Sequence, residues 1–156
     1  MHPEVPALKC RLVADVARSS GQVRLRVTGS SMLPCLWPGD ILTVRRQPME
    51  ELRPGQIVLW YRHGQLWAHR IISHHKHHVV TRGDALFQDD PPLCEHEILG
   101  VVVEVERHSQ PVALQWQLWQ RTLARLLRRC DIATSLLLRL RALRGRLAGE
   151  ETACAG

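Results

Sequence analysis

Short apolar segments separated by glycine- and proline-rich turns occupy residues 22–105, and they constrain the fold more than any other feature. Val23–Val27 alternates apolar with polar residues, which is typical of a strand with one buried face. Further segments of strand length follow at 41–44, 57–61, 66–73, 79–81 and 98–105. Many short strands with tight turns favour a barrel or folded sheet over alternating strands and helices. We therefore predict a mainly β domain over residues 22–110.

Helical patterns flank this domain on both sides. Within residues 1–21, apolar residues at helical spacing precede Ser19-Ser20-Gly21 and predict a short helix. Its apolar stripe consists of Leu8, Leu12, Val13 and Val16. Tryptophans and leucines return to helical spacing after the β domain, which predicts a basic amphipathic helical tail over residues 111–149. Residues 150–156 are expected to be a flexible C-terminus.

The net charge of +6 is concentrated in that tail. Nine arginines and one acid, Asp131, lie between residues 107 and 147. One interpretation is peripheral contact of helices in residues 113–147 with an anionic membrane surface. A second is packing of these helices on the β domain or on another copy, and a third is binding of nucleic acid through phosphates. Arginine density alone does not distinguish base sequences, so no specific nucleic acid is expected.

Several classes of protein are disfavoured. The N-terminus lacks the basic start and apolar core of a signal peptide, and no run of 18 uncharged apolar residues predicts a membrane span. Five scattered cysteines form no CxxC pair and suit free thiols in a reducing compartment. We expect a cytoplasmic protein, in solution or peripheral at the membrane, with no cofactor.

The histidines of 74–78 could bind a divalent ion, but no acid or cysteine pattern accompanies them, so we interpret this segment as a solvated hairpin tip.

A candidate nucleophile, Ser31, lies at a bend. Gly29 permits unusual backbone angles there, Pro34 fixes the exit, and amides near the turn could face an oxyanion. A serine hydroxyl is a poor nucleophile unless a base takes its proton. Without a base, Ser31 is interpreted as a plain turn residue.

The candidate base is His69. Strand alternation places it toward the core with Trp67 and Ile71, whereas Arg70 faces outward. A buried neutral histidine can accept a proton, although it can equally be a core residue bonded to a backbone carbonyl. A third group usually orients such a base, and the segment 83–90 offers three aspartates, which otherwise form an acidic turn. They are Asp84, Asp89 and Asp90.

Together, these segments resemble the conserved boxes of signal peptidases and LexA-type autoproteases. The matching stretches, in the family's order, are GSSMLPCLWPGDILTV, RPGQIVLW, AHRII, TRGDALFQDD and ILGVV. Histidine at the base position is most similar to the signal peptidases of archaea and the endoplasmic reticulum. Gly29 stands where many bacterial members have a serine that helps the oxyanion, and no segment matches the family's membrane anchor.

The resemblance implies specific roles and a fold. Ser31 would be the nucleophile, His69 the base and Asp90 the group that orients it, while Asp84 would support the site or share that role. The implied fold is a mostly antiparallel, barrel-like β domain with a shallow apolar cleft. A protein or peptide substrate would lie along the cleft as an extended strand, with small residues before the cut.

Three functions are therefore open at this point. The first is a serine endopeptidase that removes a leader from a precursor by a Ser-His(-Asp) mechanism. The second is a non-catalytic or self-processing regulator that keeps the cleft to bind a peptide. The third is a docking module that binds membrane or nucleic acid through its basic tail.

Overall fold

Seven strands follow one N-terminal helix in the part of the chain that the structure, a computed structural model, describes: residues 4–112. The helix is α1 (Glu4–Ser20). The strands are β1 (Gln22–Arg26), β2 (Ile41–Arg45), β3 (Ile57–Arg62), β4 (Gln65–His75), β5 (His78–Arg82), β6 (Ile98–Arg107) and β7 (Gln110–Pro111). Short 3-10 turns occupy Met49–Glu51 and Glu95–Glu97. From residue 113 onward, the predicted tail and C-terminus lie outside the described residues.

All strand pairs are antiparallel and form a sheet in the order β1-β2-β6-β3-β4-β5, with β7 on β6. The prediction of a mainly β fold with a short N-terminal helix is confirmed. β7 was not predicted, because two residues after the positive-φ turn at His108 and Ser109 are too few to show a period. The histidine-rich segment lies at the β4–β5 turn, where the His75 and His78 rings stack.

The sheet buries both of its faces around β3, which explains why that strand is a continuous apolar run. Ile57 and Leu59 belong to a core shared with α1, β2 and β6. Val58 and Trp60 belong to a second core formed with the following strands and the segment at Leu93. Because β3 is covered on both faces, its position is fixed. The first half of β4 pairs with β3 and is therefore fixed as well.

Helix α1 packs on the sheet through small residues. Ala14 and Ala17 are buried in the first core, whereas Leu8, Leu12 and Val16 are at least half exposed. The apolar stripe thus predicted the helix, and most of that stripe lies on its exposed face. Methyl side chains let the helix lie closer to the strands than leucines would, and the periodicity alone does not indicate which of two apolar stripes is covered. No helix in the described range has the length and apolar character needed to span a bilayer.

Gly100 marks a close approach between β6 and β2. A β-carbon added there would lie 2.4 Å from the carbonyl oxygen of Arg45. Backbone cannot yield as a flexible side chain can, so Gly100→Ala is expected to lower the free energy of unfolding by about 1–3 kcal/mol. The measurement is urea unfolding followed by circular dichroism. Gly29→Ala is the control, since nothing lies within 4 Å of its added β-carbon, and an equal loss in both variants would contradict the prediction.

Candidate active site

Ser31 occupies the turn between β1 and β2, anchored by its neighbours. Met32 and Leu33 are buried immediately after it. Within the turn, the Leu33 amide donates to the Ser30 carbonyl and the Leu36 amide to the Met32 carbonyl. Because apolar side chains on this turn are fixed in the core, the half-buried hydroxyl is presented in one direction.

His69 lies on β4 with its side chain about 1% exposed, and its imidazole reaches Ser31. The distance from Nε2 to Ser31 Oγ is 3.0 Å, within hydrogen-bond reach. The rings of Trp60 and Trp67 lie 6.1 and 5.7 Å from the imidazole, centroid to centroid. The indole of Trp60 is buried, whereas that of Trp67, which was expected to face the core, is 37% exposed.

Asp90 lies on the other side of the same ring. Its Oδ2 is 2.7 Å from His69 Nδ1 and also accepts a hydrogen bond of 2.6 Å from the Thr81 hydroxyl. The Asp90 amide donates to the Thr81 carbonyl, so the loop is tied to β5 at this residue. When Nδ1 carries the proton and donates it to the carboxylate, Nε2 is free to accept the serine proton. This arrangement can activate a hydroxyl as a nucleophile.

Asp84 pairs with Arg70, the residue that follows His69 on β4. Both of its carboxylate oxygens accept hydrogen bonds from the Arg70 guanidinium, at 2.9 and 2.8 Å, and Arg70 also donates to the Gly55 carbonyl. Both residues of the pair are almost fully buried. The prediction that Arg70 faces outward was therefore wrong. Strand alternation gives one outward face only where one face of a strand is uncovered, and β4 is covered on both faces from His69 to Ile71.

The segment from Gly83 to Asp90 is also attached to the nucleophile turn. The Ala85 amide donates to the Ser31 carbonyl at 2.9 Å. A β-carbon at Gly83 would lie only 2.7 Å from that same oxygen, so only glycine permits this approach. One loop thus contacts the backbone of Ser31 and carries the carboxylate that contacts His69.

Burial and neighbouring charges shift the pKa values of two groups near the site, Arg70 and Cys35. Burial alone would lower the pKa of Arg70, but its hydrogen bonds and ion pair with Asp84 raise the pKa above its ordinary value. Burial raises the pKa of the Cys35 thiol, although nearby Arg70 opposes this. Cys35 is therefore held as a neutral thiol next to the site, which suits packing better than nucleophilic chemistry.

A groove of about 740 Å³ opens beside Ser31. Its walls come from α1, from β1 with the residues up to Gly29, and from the first half of β4. In the described chain, β1 pairs only with β2, and residues 65–69 of β4 pair only with β3. Each therefore has one strand edge without a partner. Most of the lining is apolar, including Val13, Leu25, Val27, Met32, Leu36, Leu42, Leu59 and Leu66.

A family model described as Peptidase S24-like matches residues 7–103. That range is most of the chain and contains Ser31, His69 and Asp90. The chain belongs to the Peptidase S24-like family. Membership confirms the predicted relationship to the LexA and signal-peptidase superfamily and gives the chain a serine-peptidase-type domain. No curated protein matches this chain.

Of the four predicted site residues in this Peptidase S24-like domain, three meet and one does not. Ser31, His69 and Asp90 form a continuous hydrogen-bonded series, while Asp84 lies on Arg70. Sequence analysis missed two participants, Arg70 and Thr81. The adjacent His69-Arg70 pair on a strand, followed by an Arg-Gly-Asp turn, offered a signal for a buried counter-ion, whereas nothing in the sequence marked Thr81.

Asp84→Asn is expected to destabilise the fold by about 3–5 kcal/mol, because it removes the carboxylate charge that neutralises the buried Arg70 guanidinium. Asp89→Asn is the matched control, since Asp89 forms an exposed ion pair with Arg82 and its loss should cost about 1 kcal/mol or less. Chemical denaturation of both variants measures the difference. Similar denaturation midpoints for the two variants would show that the Arg70–Asp84 pair does not stabilise the folded state as predicted.

Proposed function

We propose that the protein is a serine endopeptidase that removes a leader from a protein or peptide precursor. The observation that supports this most directly is the series of contacts Ser31 Oγ to His69 Nε2 and His69 Nδ1 to Asp90, at 3.0 and 2.7 Å. A hydroxyl, an imidazole and a carboxylate in this order make up the machinery of acyl transfer. Membership of the Peptidase S24-like family adds weight to a peptidase over other hydrolases.

In the first step, Ser31 Oγ attacks the carbonyl carbon of the scissile bond while His69 accepts the hydroxyl proton. Asp90 stabilises the resulting imidazolium, and Thr81 holds the carboxylate in position. Backbone amides of the turn that begins at Gly29 would donate to the oxyanion. The C–N bond then breaks as His69 gives the proton to the leaving amine, leaving an acyl ester on Ser31.

In the second step, His69 removes a proton from a water molecule, which attacks the ester carbonyl. The acid product leaves, and the proton returns to Ser31 Oγ. Each step begins and ends with neutral His69, so the enzyme is regenerated. The histidine at the base position favours the type of signal peptidase found in archaea and the endoplasmic reticulum over the lysine type.

The substrate would bind as an extended strand in the groove, between β1 and β4. Both strands offer unpaired edges there, which suits β-strand addition, in which main-chain hydrogen bonds supply affinity. The proposed substrate carries small residues immediately before the cleaved bond. A cytoplasmic location, with membrane contact through residues 113–147, also belongs to the proposal; that segment is outside the described residues.

Ser31→Ala is expected to lower kcat for cleavage of a fluorogenic peptide, with alanine at the first and third positions before the cut, by about 10³-fold or more. The variant removes the only atom that can carry the acyl group in this mechanism. Intact-mass spectrometry checks both the peptide products and any cut in the protein's own chain. Ser30→Ala is the control and should retain activity. Equal cleavage by wild type and Ser31→Ala would exclude the mechanism.

Asp90→Asn is expected to lower kcat/KM by about 10²- to 10⁴-fold, because an amide neither stabilises the imidazolium nor fixes the ring tautomer. Asp89→Asn, the neighbouring change on an exposed carboxylate, should stay near wild type. Steady-state kinetics of the two folded variants supply the comparison. The role assigned to Asp90 would be refuted by equal activities, and the double variant Ser31→Ala/Asp90→Asn should be no slower than Ser31→Ala alone.

A further inference from the structure

The groove beside Ser31 carries positive charge and no carboxylate. Lys9 of α1 and Arg26 of β1 line it, together with His63 at the β3–β4 turn, and no aspartate or glutamate contributes to its walls. Lys9 and Arg26 are exposed. The ion pairs formed among the described residues include neither of them. Two cations therefore face the groove without a counter-ion from the described chain.

Two of these basic groups, His63 and Lys9, belong to the end of the groove at which β4 begins. His63 precedes His69 by six residues, most of them in the extended strand β4, so this end lies several strand residues from the nucleophile, whereas Arg26 is on the β1 wall, five residues before Ser31 in the chain. Helix α1 reaches the same end, because a β-carbon added at Gly64 would lie 3.3 Å from that of Ala7. At about 3.3 Å per residue, a peptide strand that starts at Ser31 arrives there after about four to six residues.

In the proposed mechanism, the acyl side of the substrate is the part that has to stay bound in the groove. After the first step, the acyl portion stays ester-linked to Ser31 Oγ and must be held until water attacks, whereas the amine portion has to leave. Ser31 lines this groove, and its mainly apolar walls can hold the residues next to the cut. The residue that meets Lys9 and Arg26 is then an upstream residue of the substrate.

We infer that the peptidase selects precursors with an aspartate or glutamate about four to six residues before the cleaved bond, recognised by Lys9 and Arg26. This inference rests on the proposed function, since it assigns an upstream specificity to the same groove. A substrate carboxylate at that position can form ion pairs with both cations, and neither cation has to leave an ion pair within the described chain. Because both cations are exposed, water and salt screen their attraction for the substrate carboxylate. We expect this attraction to tighten binding and to raise kcat/KM about three- to tenfold, and the gain should shrink as salt is added.

The test compares fluorogenic peptides that differ only at the fifth residue before the cut, carrying glutamate, glutamine or lysine. Wild-type kcat/KM should fall in that order, with kcat nearly constant. Charge reversal at one cation, by Lys9→Glu or Arg26→Glu, should abolish the preference, because the new carboxylate offsets the remaining cation, and the double variant Lys9→Glu/Arg26→Glu should reverse the order. Arg11→Glu on α1 and Arg45→Glu on β2 make the same change of charge outside the groove and should keep the wild-type order.

Binding to the Ser31→Ala protein, measured by fluorescence anisotropy, separates this inference from the proposed function. A lower dissociation constant for the glutamate peptide, with the difference lost in Ser31→Ala/Lys9→Glu, supports the inference even if the wild type cleaves nothing. Cleavage of all three peptides at the same kcat/KM would overturn the inference and leave the peptidase assignment intact. Equal binding of the three peptides, or no binding of the glutamate peptide, would also overturn it.

Discussion

The buried ion pair between Arg70 and Asp84 joins the strand that carries His69 to the loop that carries Asp90. Removing two charges from water is costly, and the cost is offset here by two hydrogen bonds between the partners and a third from Arg70 to the Gly55 carbonyl. With Asp84 fixed in this way, the preceding Gly83 and the following Ala85 meet the carbonyl of Ser31. The nucleophile, base and acid are therefore positioned by a contact in which none of them takes part.

Much of the fold follows from local patterns. Alternation in Val23–Val27 and the apolar run at Ile57 indicated β1 and β3, and turn residues separated the strands. Ser31, His69 and Asp90 were each ambiguous alone, and only the order of the boxes indicated that they belong together. Their meeting depends on pairing between β3 and β4 and on the loop after β5, contacts that no local pattern encodes.

The errors have a common physical origin, which is burial by parts of the chain remote in sequence. Arg70 was expected outside because alternation assumes one solvated face, yet β4 is covered on both faces there. The stripe that includes Leu8 and Leu12 predicted α1 but not which of its faces is covered, and the helix approaches the sheet through Ala14 and Ala17. In each case the covering element, and not the period, decides which side chains are buried.

The edge of β1 that pairs with no strand among residues 4–112 has a consequence for contacts between copies of this protein. An exposed strand edge is a template on which another chain can continue the sheet, and such growth leads to aggregation. Gln22, Arg24 and Arg26 are the exposed residues of this strand. Arg24 is paired with Glu106, but Arg26 forms no ion pair among the described residues and deters a second copy from pairing there, because like charges would be brought together as the strands align. The charge on this edge thus favours a partner strand of opposite charge over a second copy of β1.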